Sequence, residues 1–290
     1  MTALTSTRAI AMFEYDFMRT AFAAGGLVAV VAGTVGYFLV LRNLTFAGHA
    51  LSHVGFAGAT GSVLLGIGAL WGLLAFSLAA AVAMGLLGDR LRNRDVAVGI
   101  ILSLALGLGV LFLYLYTTSA NEATAILFGN LLGVGIDTLW GLFGLSVIGL
   151  CALAAISRPL LFATLAPELA EAKGVSLRLV SVAFLAIVAI AVAEAAQVVG
   201  VLLVFALMVG PAAASLRLVP RLYWGLVIAI LLALVETWGG IVLAYVTDWP
   251  TTFWIVSLSC LVYFLTFAKN QTVASPPPQQ GSCRRSTERG

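Results

Sequence analysis

Residues 178–216 read RLVSVAFLAIVAIAVAEAAQVVGVLLVFALMVGPAAASL, with only two ionisable side chains, Arg178 at the start and Glu194 in the middle. A helix rises 1.5 Å per residue and needs about twenty apolar residues to cross roughly 30 Å of hydrocarbon, so this stretch is long enough for two crossings. Gln197 and Gly200 divide it into spans 178–197 and 198–216. The rest of the chain obeys the same rule. Of its 290 residues 62% are hydrophobic and 9% charged, whereas soluble domains carry roughly 25% charged residues. The sequence therefore predicts an all-α, polytopic transmembrane bundle. Thirty glycines without a short period fit closely approaching membrane helices and exclude collagen.

The remaining spans fall near 17–41, 47–68, 69–88, 96–117, 137–157, 222–245 and 251–268, making about nine, with eight to ten compatible with the soft boundaries. The apolar stretch 124–135 is too short to cross and reads as a re-entrant or interfacial piece. With nine spans, Arg42, Arg90, Arg92, Arg94, Arg158, Lys173, Arg178, Arg217, Arg221 and Lys269 share one side. That side is the cytoplasm by the positive-inside rule, and Asn121, Glu122 and Asp248 lie opposite. Residues 1–16 form an N-terminal segment. Glu14, Asp16 and Arg19 flank a first span too long for a signal peptide, which is expected to be retained. Residues 17–268 form the membrane domain, with 158–177 a cytoplasmic segment. Residues 269–290, with Pro276, Pro277, Pro278, Arg284, Arg285 and Arg289, form a disordered tail that can touch anionic lipid. Cys151, Cys260 and Cys283 have no paired spacing, so neither a disulfide framework nor a zinc motif is expected, and the first two read as small packing residues. No nucleic-acid partner is expected.

Ionisable or broken positions inside the bilayer are costly and point to function. The only two histidines, His49 and His53, stand four apart at the start of the second span. On a helix that spacing turns about 400°, so both imidazoles lie on one face and can share a zinc, manganese or iron ion. Two ligands do not close a tetrahedral site, which suits passage better than permanent holding, and no permanently bound cofactor is expected. The bland alternative is a pair near the membrane boundary, hydrogen-bonded to backbone or to Ser52. Gly48, Gly55, Gly58 and Gly61 would let another helix approach the pair. Nine spans start this helix at the cytoplasmic side, so the pair sits low unless residues 42–48 bend back into the protein. Glu194, with Gln197, reads either as a first ligand for an incoming cation or as a solvated helix end. Glu236, deep in the eighth span, needs a structural partner or a wet pathway. Gly210 and Pro211 break the seventh span, either along a pathway or as a packing kink.

Uphill transport needs ATP or ion coupling, and no Gly-rich loop ending in Gly-Lys-Ser/Thr is present, so the chain is not expected to hydrolyse ATP. In 166–175, Pro167 at a first helical position, Glu168 and Glu171 early, Lys173 late and Gly174 beyond describe a short capped helix. It fits a docking helix for a separate motor subunit, or an ordinary interfacial helix.

Residues 42–53, RNLTFAGHALSH, resemble the signature of the ABC-3 family of metal permeases, membrane subunits of bacterial zinc, manganese and iron importers. Residues 126–132, ILFGNLL, look like that family's Leu-Phe-Gly-Asp/Asn segment. Residues 167–175 are similar to its coupling-helix region, and 199–204 with 210–213 match a further motif block. The likeness spans about 17–268. It implies a permease of the ABC importer type in a bacterial inner (plasma) membrane, working as a homodimer with two cytoplasmic ATPase subunits and an extracytoplasmic metal-binding protein. It also implies a pathway site in a Gly-Asp-x-Leu-Ser-His pattern, in which His53 matches the histidine and His49 stands where the aspartate belongs. Imidazole in place of carboxylate favours zinc over manganese and ties binding to pH near the imidazole pKa. The competing reading is a proton-coupled secondary metal transporter, which predicts an inverted repeat between halves. An intramembrane metalloprotease would need a glutamate within His-x-x-x-His, where Ala50, Leu51 and Ser52 stand instead.

Overall fold

The computed structural model describes residues 15–87, 94–115, 127–129 and 131–273. Arg90, Arg92, Asn121, Glu122, Ile126, Asn130, Cys283 and the tail beyond Val273 lie outside the described residues. The described residues form α1 (Asp16–Leu41), α2 (Thr45–Leu64), α3 (Ala69–Leu87), α4 (Arg94–Leu115), α5 (Ile136–Leu165), α6 (Pro167–Ala172), α7 (Leu177–Val199), α8 (Val201–Leu218), α9 (Leu222–Thr247) and α10 (Thr251–Val273), with a 3-10 turn at Leu131–Gly133. No strand occurs among them. Eight of these helices are long and apolar enough to cross a membrane. The ninth long helix, α2, has 20 residues but carries Thr45, His49, Ser52, His53, Thr60 and Ser62. It compensates by burial, packing against α3, α4, α7 and α8.

α1 and α7 are the central staves, each with 72% of its most apolar window buried, against 17% for α10 at the perimeter. α1 packs on α5, α7, α8 and α9, and α7 on α2, α3, α5 and α8. Small residues make these approaches close. A Cβ at Gly36 would run into the Met208 carbonyl of α8, and one at Gly58 into the Gly72 carbonyl of α3.

Helix ends follow from local chemistry. Asn43 (φ 55°) takes the left-handed position after α1, with Asn43 N–H donating to Val40 O and Leu44 N–H to Leu39 O, the paired bonds of a Schellman turn. Gly66 and Gly174 close α2 and α6 in the same way. α5 continues past the expected end at 157 through Pro159 to Leu165, because one proline removes a single donor, here toward the Ala155 carbonyl, without stopping a helix packed on its neighbours. α10 likewise runs to Val273, beyond the 268 boundary read from sequence. The stretch around 127–133 folds back onto the bundle. Gly129 and Gly200 both have positive φ, their backbones touch, and Leu131 reaches Gly25 of α1. Cys151 and Cys260 are exposed at the perimeter instead of packed within it.

Candidate functional site

The corner between α1 and α2 sets the position of the histidines. Only residues 42–44 separate the helices. Leu44 is buried, and Leu39 fills the space against Gly48, so the end of α1 and the first turn of α2 form one packed block. One turn on, the His49 and His53 rings lie edge to face with centroids 4.7 Å apart. Two imidazoles sharing one ion in tetrahedral geometry, with metal–nitrogen bonds of about 2.1 Å, have centroids roughly 5 Å apart, so the separation of the rings is compatible with a shared metal. Ser52 donates to the His49 carbonyl at 2.7 Å and therefore does not engage an imidazole with that proton. His49 Nδ1 is buried with no hydrogen-bond partner among the described residues. The His49 ring also meets the Phe205 ring of α8, with centroids 5.0 Å apart.

The depth of the pair follows from neighbouring helices. Ser77 Oγ donates to the carbonyl of Leu51, midway between the histidines, at 3.3 Å. Ser77 stands about 12 Å from the start of α3 and about 15 Å from its end, at 1.5 Å per residue. The pair thus stands level with the middle of α3, one to two turns into α2. The corner is anchored at two points, with Asn43 left exposed: Leu44 is buried, and Arg42 donates to Ser181 Oγ of α7 at 3.2 Å and stacks 5.6 Å from the centroid of the buried Phe184 ring.

Glu194 is fully buried, which removes the solvated-end reading. Ser146 of α5 donates to one carboxyl oxygen, while the other oxygen and Gln197 Oε1 have no partner among the described residues. α7 and α8 are joined through Gly200 alone. Glu194 stands six residues before this corner and Phe205 five after it, so both lie roughly 8 Å from it along their helices. Glu194 and the histidines therefore share a depth. They do not form a closed site: among the described residues no group of three or more His, Cys, Asp or Glu is placed to hold a metal.

Glu236 on α9 is 1% exposed, and neither carboxyl oxygen has a hydrogen-bond partner among the described residues. Its neighbour Ser259 on α10 directs its hydroxyl to the Ala206 carbonyl at 3.1 Å. Gly210 lies tight against that serine, and Pro211 leaves the Leu207 carbonyl without its helical donor. Gly210, Pro211 and Glu236 thus gather at one junction of α8, α9 and α10, whereas the histidines meet α8 through Phe205. An open groove runs along α8 from Phe205 past Gly210 and Ser259 to Arg217, near the end where α8 stops.

At that end of α7, α6 begins with Pro167 at its first position and exposes Pro167, Glu168, Glu171, Lys173 and Gly174, with Ala170 turned inward. Lys173 lies 5.7 Å from the centroid of the Phe162 ring, so its stem covers α5. Sequence reasoning missed Phe205, Ser146, Ser77 and Ser259. An aromatic or a serine within an apolar span carries no signal until its neighbour on another helix is known.

A multi-pass helical membrane protein with paired imidazoles level with the middle of α3, two further buried carboxylates and a short closed helix at one end has the layout of a transport permease. The sequence profile of the ABC 3 transport family matches residues 14–270, and the chain belongs to that family. It is 31% identical to the "Probable metal transport system membrane protein" of Treponema pallidum, over 90% of this chain and 98% of that one. It is 27% identical to the "Manganese transport system membrane protein MntC" of Listeria monocytogenes, over 88% and 91%. Among solved structures it superposes on PsaBC from Streptococcus pneumoniae in complex with Fab with a TM-score of 0.80, at 25% identity, covering 92% of this chain and 95% of that one. The chain is accordingly a multi-pass plasma-membrane permease of the ABC type.

Proposed function

We propose that the chain conducts a divalent transition-metal ion through the membrane as the permease of an ATP-driven importer, with His49 and His53 as transit ligands. The observation that carries this reading is the imidazole pair held level with the middle of α3 with a partnerless buried nitrogen, on a chain whose relatives are named for metal and manganese transport. Two neutral nitrogens bind a cation briefly and let it go, as a conduit requires. Glu194 supplies a carboxylate at the same depth. Glu236, with the Ser259 hydroxyl and the freed carbonyl near Pro211, offers harder oxygen donors on the other side of α8.

The metal we infer is zinc before manganese. Imidazole at position 49, where the family pattern has a carboxylate, favours a borderline ion, although the relatives' names favour manganese. ATP hydrolysis belongs to separate cytoplasmic subunits docking on α6 through Pro167, Glu168, Glu171, Lys173 and Gly174. The working unit is a homodimer, and a metal-binding protein delivers the ion from outside. Reconstituted with its ATPase and binding protein, the His49→Ala/His53→Ala double variant should lose at least about tenfold of ATP-dependent zinc uptake, the equivalent of one lost ligand interaction. Uptake equal to the parent's would refute the site, and a parent that prefers manganese over zinc in competition would refute the metal.

A further inference from the structure

We propose that Arg42 is the positioning residue that couples movement of α7 to the histidine pair; this rests on the docking role given to α6 above. The argument follows the chain of contacts. α6 and α7 are separated by only residues 173–176, where Gly174 (φ 81°) closes α6 and the Ser176 hydroxyl accepts the Leu179 N–H to start α7. So short and bonded a connection transmits a displacement of α6 into the first turns of α7. There Ser181 and Phe184, one turn apart on one face, hold the Arg42 guanidinium by a 3.2 Å hydrogen bond and a cation–π contact at 5.6 Å.

Arg42 belongs to a rigid unit. Its own N–H donates to Phe38 O, and the Asn43 and Leu44 bonds lock the corner to α1. Leu39 against Gly48 then locks the corner to the first turn of α2. His49 is the next residue. Beside the direct packing of α7 on α2 and α3, a shift of α7 therefore also reaches the imidazoles through the Arg42 side chain and a corner with little internal freedom. α2 begins without a side-chain cap, so its start is positioned by this packing and by Arg42. A planar, permanently charged fork suits the task, because it binds a hydroxyl and an aromatic face together, which an ammonium does less well.

The test measures metal ions imported per ATP hydrolysed, with Zn²⁺ and Mn²⁺, in proteoliposomes holding the permease, its ATPase and its binding protein. Arg42→Ala should lower the ratio about tenfold while ATP hydrolysis stays within about twofold of the parent, the loss of one charged hydrogen bond and one cation–π contact. Arg42→Lys should give an intermediate ratio. Ser181→Ala, which keeps the guanidinium and its charge, should lower it about twofold, and should add nothing in the Arg42→Ala background. Should Arg42→Ala fail to assemble, Ser181→Ala and Arg42→Lys decide. An unchanged ratio in these variants, or hydrolysis falling in step with uptake, overturns the proposal. The His49→Ala/His53→Ala variant, run alongside, separates this outcome from failure of the importer reading, because its uptake tests the site whatever Arg42 does.

Discussion

α2 and α4 pack against each other and are almost equally long, yet they meet opposite environments. α4 has the most apolar window of the eight spans, mean hydropathy 2.7, and only 22% of it is buried, with Ile100, Leu104 and Val110 facing outward. α2 falls outside those eight and buries Ser52, Thr60 and Ser62. In water the apolar helix would be the core; in lipid the order is inverted, because hydrocarbon accepts leucine and only protein accepts histidine and serine. The buried hydroxyls of α2 are turned back on their own helix. Ser52, Thr60 and Ser62 each donate to a carbonyl one turn back on their own helix. What α2 leaves for chemistry is the imidazole pair.

The same substitution on the two helices separates them most widely. A Cβ at Gly58 of α2 would run into the Gly72 carbonyl, which is backbone and cannot rotate away, whereas Gly107 of α4 has nothing within 4 Å of such a Cβ. Gly58→Ala should therefore destabilise the protein by about 2–3 kcal/mol through overpacking, seen as a lower unfolding midpoint and less folded protein in membranes. Gly107→Ala should stay within about 0.5 kcal/mol of the parent, because it loses no contact and helix propensity favours alanine. Equal outcomes would break the contrast between a protein-facing and an outward-facing helix.

A second test asks whether burial around α2 serves the ion or only the fold. Glu194 uses one carboxyl oxygen to accept from Ser146 and leaves the other without a partner among the described residues. Glu194→Gln keeps an acceptor for that serine and a similar volume but removes the capacity to ionise against a cation. Thermal stability should hold within about 0.5 kcal/mol while metal uptake falls about tenfold, a modest share of the roughly 4 kcal/mol that unit charges 4 Å apart exchange at an effective permittivity of 20. Unchanged uptake would make Glu194 a structural residue.

How much of this was legible in the sequence depended on whether the information was local. Eight of the nine expected spans, α6 with Pro167 at its start and Gly174 at its end, and the shared face of His49 and His53 follow from spacing and local chemistry and appear among the described residues. The depth of the pair was not legible. It depends on a left-handed Asn43, a buried Leu44 and the attachment of Arg42 to α7, which no periodicity encodes. Nor was the burial of Glu194, since a carboxylate near a glycine corner reads as a helix end until Ser146 is placed beside it. The end of α5 was placed too early because Arg158 closes the charge-free run, whereas the helix itself continues through it to Leu165.

The smallest expected effect is at the bond that registers α2 on α3. Ser77 is fully buried, and its donation to Leu51 O at 3.3 Å adds to an acceptor that the helix already occupies. A carbonyl left with its helical donor is not orphaned, so removal forfeits only the extra bond. Interhelical hydrogen bonds in membranes average about 0.6 kcal/mol, which for a chain of this size shifts the unfolding midpoint by about 1–2 °C. Ser77→Ala should produce that shift and leave metal uptake within about twofold of the parent, because Gly58 against Gly72 and Leu39 against Gly48 still hold α2 at its depth. A large loss of uptake from so small a loss of stability would mean that the height of the histidines rests on this one hydroxyl and not on the close backbone packing around it.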